Sequence, residues 1–217
     1  MCDQPATSDE HAPPKCLFPE QKDLPPNTDY RKNLIKVPSC DIHNTAKSKD
    51  DEYLLYILPA SAGSNNVGLN QFLSKVQRAI KRNPNLAKNL TETPVAVSIQ
   101  NTETNVWSNS VALKIDICRI QDSLEKTARA IYFHHTGKKH LGNVSIVGNF
   151  TLNLEDISLN TRTQELFFMA EPILFNQTLY GENPEVFTFK IASFEKITLL
   201  ELLFYGTNKA LAVLSNG

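Results

Sequence analysis

Prolines dominate the start of this chain. Pro5, Pro13, Pro14, Pro19, Pro25, Pro26 and Pro38 punctuate its first forty residues. Each removes a backbone donor and biases its predecessor away from helix. A segment built mainly of loop and short strand buries little apolar surface alone, and a bound metal is the usual staple for such a fold. Ligand-type side chains are interleaved with the prolines: Cys2, Glu10, His11 and Cys16, then Cys40 and His43.

The expected fold class is α+β. Residues 31–38 carry the pattern of one short strand ending at Pro38, and Ser48 or Asp50 is placed to cap a helix running through Tyr53, Tyr56 and Leu58. Pro59 and the small polar residues 60–66 mark a linker, which divides the chain into an N-terminal module, residues 1–60, and an α+β domain, residues 67–217. In the latter, Leu69, Phe72, Leu73, Val76 and Ile80 recur at helical spacing within 67–90. Ile120, Leu124, Thr127, Ala128 and Ile131 share a second helical face, with Gly137 as its stop. Segments 95–99, 111–117, 144–154, 166–175, 186–191 and 197–205 alternate or are rich in β-branched residues, and predict a mainly antiparallel sheet. Cys118 is expected on a buried strand, and Trp107 as a core cap or a base-stacking residue.

With 22 Lys and Arg against 23 Asp and Glu, net charge is −1. No global field draws a polyanion, so nucleic-acid contact must come from a local basic face. Lys75, Arg78, Lys81 and Arg82 on the first helix of the second domain are such a face; a solvated helix surface is the alternative. His134, His135, Lys138, Lys139 and His140 form a second positive cluster, read as structural or as a contact surface. No apolar run reaches the roughly 18 residues that span a bilayer, and no secretory signal is visible, so a cytoplasmic location without membrane association is expected. Four cysteines, unevenly spaced, suit metal ligation or buried thiols better than a disulfide framework.

Singly, the candidate ligands are weak. Asp9-Glu10-His11 alone reads as a surface loop, and Cys40-x-x-His43 alone is half of a tetrahedral zinc site, with Cys2 the natural third ligand and Cys16 a further candidate. Their order is more specific. The run E-H-x-x-P-K from Glu10 to Lys15, then Asn33-Leu34, then V-P-S-C-x-x-H-N-x-x-K-S from Val37 to Ser48, resembles the HNH endonucleases, whose common pattern is D-H-x-x-P, N-L, C-x-x-C-H-x-x-K. His11 falls on the first His, Asn33 on the central Asn and Asn44 on the last position, which makes this an H-N-N variant. Glu10 stands for the commoner Asp and His43 for a Cys. The resemblance covers about residues 1–58.

That resemblance implies a ββα-metal module with a zinc knuckle and a metal-dependent endonuclease activity on nucleic acid, DNA foremost. It makes His11 the general base, oriented by Asn33. Glu10 and Asn44 would hold a catalytic Mg²⁺ or Mn²⁺, Cys2, Cys40 and His43 a structural Zn²⁺, and Lys47 and Ser48 would meet phosphate. It leaves room for a homodimer and for an activating protein partner. Two other readings stay open: an inactive HNH-like zinc module that binds nucleic acid or a protein, and a zinc ribbon appended to an unrelated ligand-binding domain.

Overall fold

A short antiparallel ribbon feeds directly into a long helix at the start of the chain. The computed structural model describes residues 5–85, 94–100 and 104–216, without the side chains of 41–48. Strand β1 (Ser8–His11) pairs with β2 (Lys36–Ser39) in the register Ser8–Ser39 to His11–Lys36. Pro38 is accommodated because β2 is an edge strand. Helix α1 (Asp41–Ile57) begins directly after Cys40, its N-cap, well before the expected start near Ser48.

The run 66–82 is helical throughout: α2 (Asn66–Gln71), a π-helical turn (Phe72–Val76) and α3 (Gln77–Arg82). Asn65 caps α2 by accepting the Gly68 N–H at 3.0 Å. Helix α3 ends at Arg82 with Asn83 as its C-cap, at the Asn83-Pro84 pair expected to stop it. Strands β3 (Val95–Gln100) and β4 (Trp107–Ala112) form a two-stranded ribbon. Helix α4 (Ile117–Thr136) buries Ile120, Leu124, Thr127, Ala128 and Ile131, the face its periodicity predicts. Gly137 closes it at φ 70°, its N–H reaching the Phe133 carbonyl at 2.8 Å.

Strands β5 (Asn143–Gly148), β6 (Tyr180–Asn183), β7 (Phe187–Ser193), β8 (Ile197–Phe204) and β9 (Asn208–Ser215) make an antiparallel sheet in the order β5-β9-β8-β7-β6. Its inner face presents Phe187, Phe189, Leu200, Leu202, Phe204, Ala212 and Leu214 to the main core. Its outer face presents Ala192, Leu199 and Leu211 to Ala170 and Leu174 of helix α5 (Ile157–Phe175). Burial on both faces explains why β7, β8 and β9 read as near-continuous apolar runs.

Five expectations are corrected. Residues 166–175 are not a strand but the second half of α5, because Phe167, Ala170 and Leu174 recur at helical spacing against the sheet while the remaining apolar residues disguise that period. The strands expected over 111–117 and 144–154 stop at Ala112 and Gly148. Cys118 is exposed in the first turn of α4, not buried on a strand. Trp107 caps no core; it is 62% exposed on the ribbon.

The main core draws on both sides of the expected linker: Leu17, Phe18, Val37, Leu54 and Leu58 join Leu124, Ile131, Phe204 and Tyr205. The segment 59–66 is itself held. Asn208 Nδ2 donates to the Leu58 carbonyl at 3.1 Å and to Ser64 Oγ at 2.9 Å, and the Asn65 N–H donates to the Tyr205 carbonyl at 2.8 Å. No described helix is long and apolar enough to cross a membrane.

Candidate metal and nucleic-acid site

The β1–β2 ribbon decides which candidate residues can meet. His11 ends β1 opposite Lys36, and the Ala12 N–H continues the pairing to the Ile35 carbonyl at 3.1 Å. Asn33, two residues before Ile35, therefore lies at the same end of the ribbon as His11. It is exposed and adopts the left-handed conformation, φ 50°, which Asn tolerates better than most residues. The two residues before it are tied down. Arg31 donates from Nε and Nη2 to the Phe18 carbonyl at 3.1 and 2.9 Å, and Asn183 Nδ2 donates to the Lys32 carbonyl at 2.9 Å.

His11 is half-buried. Burial holds its pKa below the usual imidazole value, and the cations of Lys15, Lys36 and Arg31 push the same way against the opposing charge of Asp9. The imidazole is therefore neutral and able to accept a proton near pH 7. Glu10 pairs with Val37, and its Oε2 accepts a hydrogen bond from the buried Ser39 Oγ at 3.2 Å. Ser39 in turn precedes Cys40, which is buried at the head of α1.

Asn44, His43, Lys47 and Ser48 fall within the opening turns of α1, but their side chains lie outside the described residues, as does Cys2 entirely. The N-terminal segment does run beside the Cys40 end of the ribbon, since the Thr7 N–H donates to the Ser39 carbonyl at 3.0 Å. Among the described residues no three His, Cys, Asp or Glu side chains converge as a metal would require.

The rest of α1 is locked in place. Arg119 of α4 donates to Asp50 Oδ1 at 2.9 Å and to the Lys49 carbonyl at 2.6 Å, and its guanidinium stacks 4.3 Å over the Tyr53 ring. Ser123 Oγ donates to Asp51 Oδ1 at 3.0 Å.

The four basic residues of the π-helical turn and α3 divide into two pairs. Arg78 forks onto Asp23 at 2.8 and 2.6 Å, and Lys75 Nζ meets the Cys16 carbonyl at 3.0 Å and Glu20 at 3.2 Å. Lys22 and Lys75 hold the Glu20 carboxyl down at about 2. Lys75 and Arg78 clamp the proline-rich loop to the helix, whereas Lys81 and Arg82 are exposed at the end of α3. In the other positive cluster, His134 and His135 are exposed, His135 meets Tyr180 edge-on at 5.1 Å, and His140 is buried against Tyr132. A cleft of about 270 Å³ opens between the 19–30 loop and α2, lined by Tyr30, Gln71 and Glu185 but by none of Glu10, His11 or Asn33.

Sequence reasoning did not single out Ser39, Lys36 or Arg31. Strand alternation carries no sign of which residue lies across a ribbon, so Lys36 beside His11 emerges only from the register; Lys15 is visible within the motif but without a role. Comparison with models of protein families, with curated proteins and with solved structures finds no match to this chain.

Proposed function

We propose that this chain is a divalent-metal-dependent endonuclease that hydrolyses phosphodiester bonds in nucleic acid, DNA foremost, with its site on the β1–β2–α1 unit. One observation carries this reading. Glu10 and His11 end one strand, Asn33 stands in the loop at that same end of the ribbon, and Asn44 falls in the helix that leaves the second strand. That order fits what the resemblance to the HNH endonucleases implies for a ββα-metal module.

In this reading His11, neutral because its pKa is lowered, takes a proton from the attacking water as the new oxygen–phosphorus bond forms and the bond to the 3′-oxygen breaks. Asn33 orients the imidazole. Glu10, fixed by Ser39, and Asn44 would hold Mg²⁺ or Mn²⁺, which when bound stabilises charge on the scissile phosphate and the leaving oxygen. Lys15 and Lys36 add local positive charge, which the net charge of −1 does not supply. Cys40, His43 and Cys2 would hold zinc.

The test is a plasmid-nicking assay with Mg²⁺ or Mn²⁺, comparing the wild type with His11→Ala. Metal-dependent nicking that is lost in a folded variant is expected. Equal nicking by both proteins would overturn the base assignment, and none by either would overturn the nuclease reading.

A further inference from the structure

Three side-chain donors that line the cleft between the 19–30 loop and α2 are already committed. Tyr30 Oη donates to Glu185 Oε2 at 2.5 Å, Ser74 Oγ to the Asn70 carbonyl at 2.6 Å and Gln71 Nε2 to the Cys16 carbonyl at 3.1 Å. Their oxygens remain as acceptors. Gln71 is only 1% exposed, and its Oε1, on the side of the amide away from that carbonyl, has no partner among the described residues. A buried acceptor left alone is costly, and native structures normally give it a donor. Asn66 and Asn70 add amides that donate and accept alike.

Charge narrows the occupant further. Two carboxylates line the cleft, and no Lys or Arg among the described residues does. Asp23 is neutralised by the Arg78 fork, whereas Glu185 meets only the Tyr30 hydroxyl. That hydrogen bond and burial push the Tyr30 pKa up to about 12, so the phenol keeps its proton and the charge stays on Glu185. One free carboxylate among neutral oxygens is too little charge for a divalent ion. It matches a monovalent cation with several donors. Pro19, Leu24, Pro25 and Val67 give the cleft an apolar wall. Its volume of about 270 Å³ is that of roughly nine waters in the liquid, so the occupant is small.

We infer that this cleft binds a primary ammonium on a short apolar body, with Glu185 as counter-ion and the oxygens of Gln71 and Tyr30 as further acceptors. An ammonium carries three N–H donors, one for each. The inference stands independently of the nuclease reading.

Proton–nitrogen NMR correlation spectra of the full chain test it, with isoamylammonium, isoamyl alcohol and isovalerate as probes of similar shape and different charge. The ammonium is expected to shift the Gln71 side-chain amide and the Tyr30 and Glu185 backbone signals saturably. The alcohol should bind at least about tenfold more weakly and isovalerate not at all. Glu185→Gln keeps the shape and an acceptor for Tyr30. It is expected to weaken ammonium binding at least about tenfold and to leave the alcohol unchanged. Equal binding of ammonium and alcohol, no saturable binding, or a Glu185→Gln chain that binds the ammonium like the wild type would each sink the site. Acetyl-Gly-Lys-Gly-amide separates the sources of the ammonium. Tighter binding than isoamylammonium identifies a lysine side chain of a protein, weaker binding a free amine, and either sustains the site.

Discussion

Ser39 Oγ reaches diagonally across the β1–β2 ribbon to donate to Glu10 Oε2 at 3.2 Å. Ser39 is buried, so the carboxylate is aimed by a side chain that cannot wander. Partners that orient a metal-binding carboxylate typically contribute about 10–100-fold to metal affinity. Ser39→Ala is therefore expected to raise the Mn²⁺ concentration needed for half-maximal cleavage by about tenfold, at a stability cost of about 1 kcal/mol. A metal titration beside a urea melt separates the two effects; unchanged metal dependence would remove Ser39 from the site.

The lowered pKa of His11 makes a pH prediction with a fixed sign. The folded chain protonates this imidazole less readily than the unfolded chain does, so the unfolded state binds more protons between the folded pKa and 6.5. The His11 contribution to stability is complete above pH 6.5 and is lost as pH falls through the folded value. Cleavage should follow the neutral imidazole, with its acid limb below 6.5. An NMR titration of His11 alongside the rate profile checks both, and an acid limb above 6.5 would contradict the assignment.

Gly68 tests how closely α2 approaches the sheet. A Cβ there would stand 3.0 Å from Ser64 Cβ and 3.0 Å from Tyr205 Cγ, a ring that is fully buried. In an open helix Gly→Ala stabilises by about 1 kcal/mol, but overpacking a tight site costs about 1–3 kcal/mol. Packing wins here, so Gly68→Ala is expected to lower the midpoint of chemical denaturation. A rise would show that the neighbouring atoms yield.

The division among the basic residues separates binding from anchoring. Lys81→Ala with Arg82→Ala is expected to weaken nucleic-acid binding and to reduce the salt slope by about one for each phosphate that is no longer neutralised, with the melting temperature unchanged. Arg78→Ala, which breaks the fork onto Asp23, is expected to lower the melting temperature instead. Fluorescence anisotropy across a salt series, paired with thermal melts, distinguishes them.

What the sequence made legible follows from period and order. The buried face of α4 with its Gly137 stop and the strands β7 and β8 are visible in spacing. Asp9-Glu10-His11 alone reads as a surface loop, and a first strand at His11 is implied only by the resemblance to the HNH endonucleases. Helix α5 was not legible, because an apolar sheet contact on one side and an exposed apolar face on the other erase the amphipathic period. Strand β9, with Asn208 and Ala210 to Ala212 buried in a sheet covered on both faces, fell in a stretch with no alternation to recognise. At the site, the residue types of Glu10 and His11 could be read directly, whereas the support from Ser39 and Lys36 depends on a register no local pattern encodes.

The amide of Asn183, from the edge strand of the five-stranded sheet, holds the carbonyl of Lys32, immediately before Asn33. A chain cut at residue 60 would lose that tether together with Phe204 and Tyr205, leaving Leu17, Leu54 and Leu58 without their cover. The first sixty residues are thus a dependent piece rather than a portable cassette. Transplanted elsewhere, their catalytic-looking motif would arrive without the scaffold that gives its loop a shape.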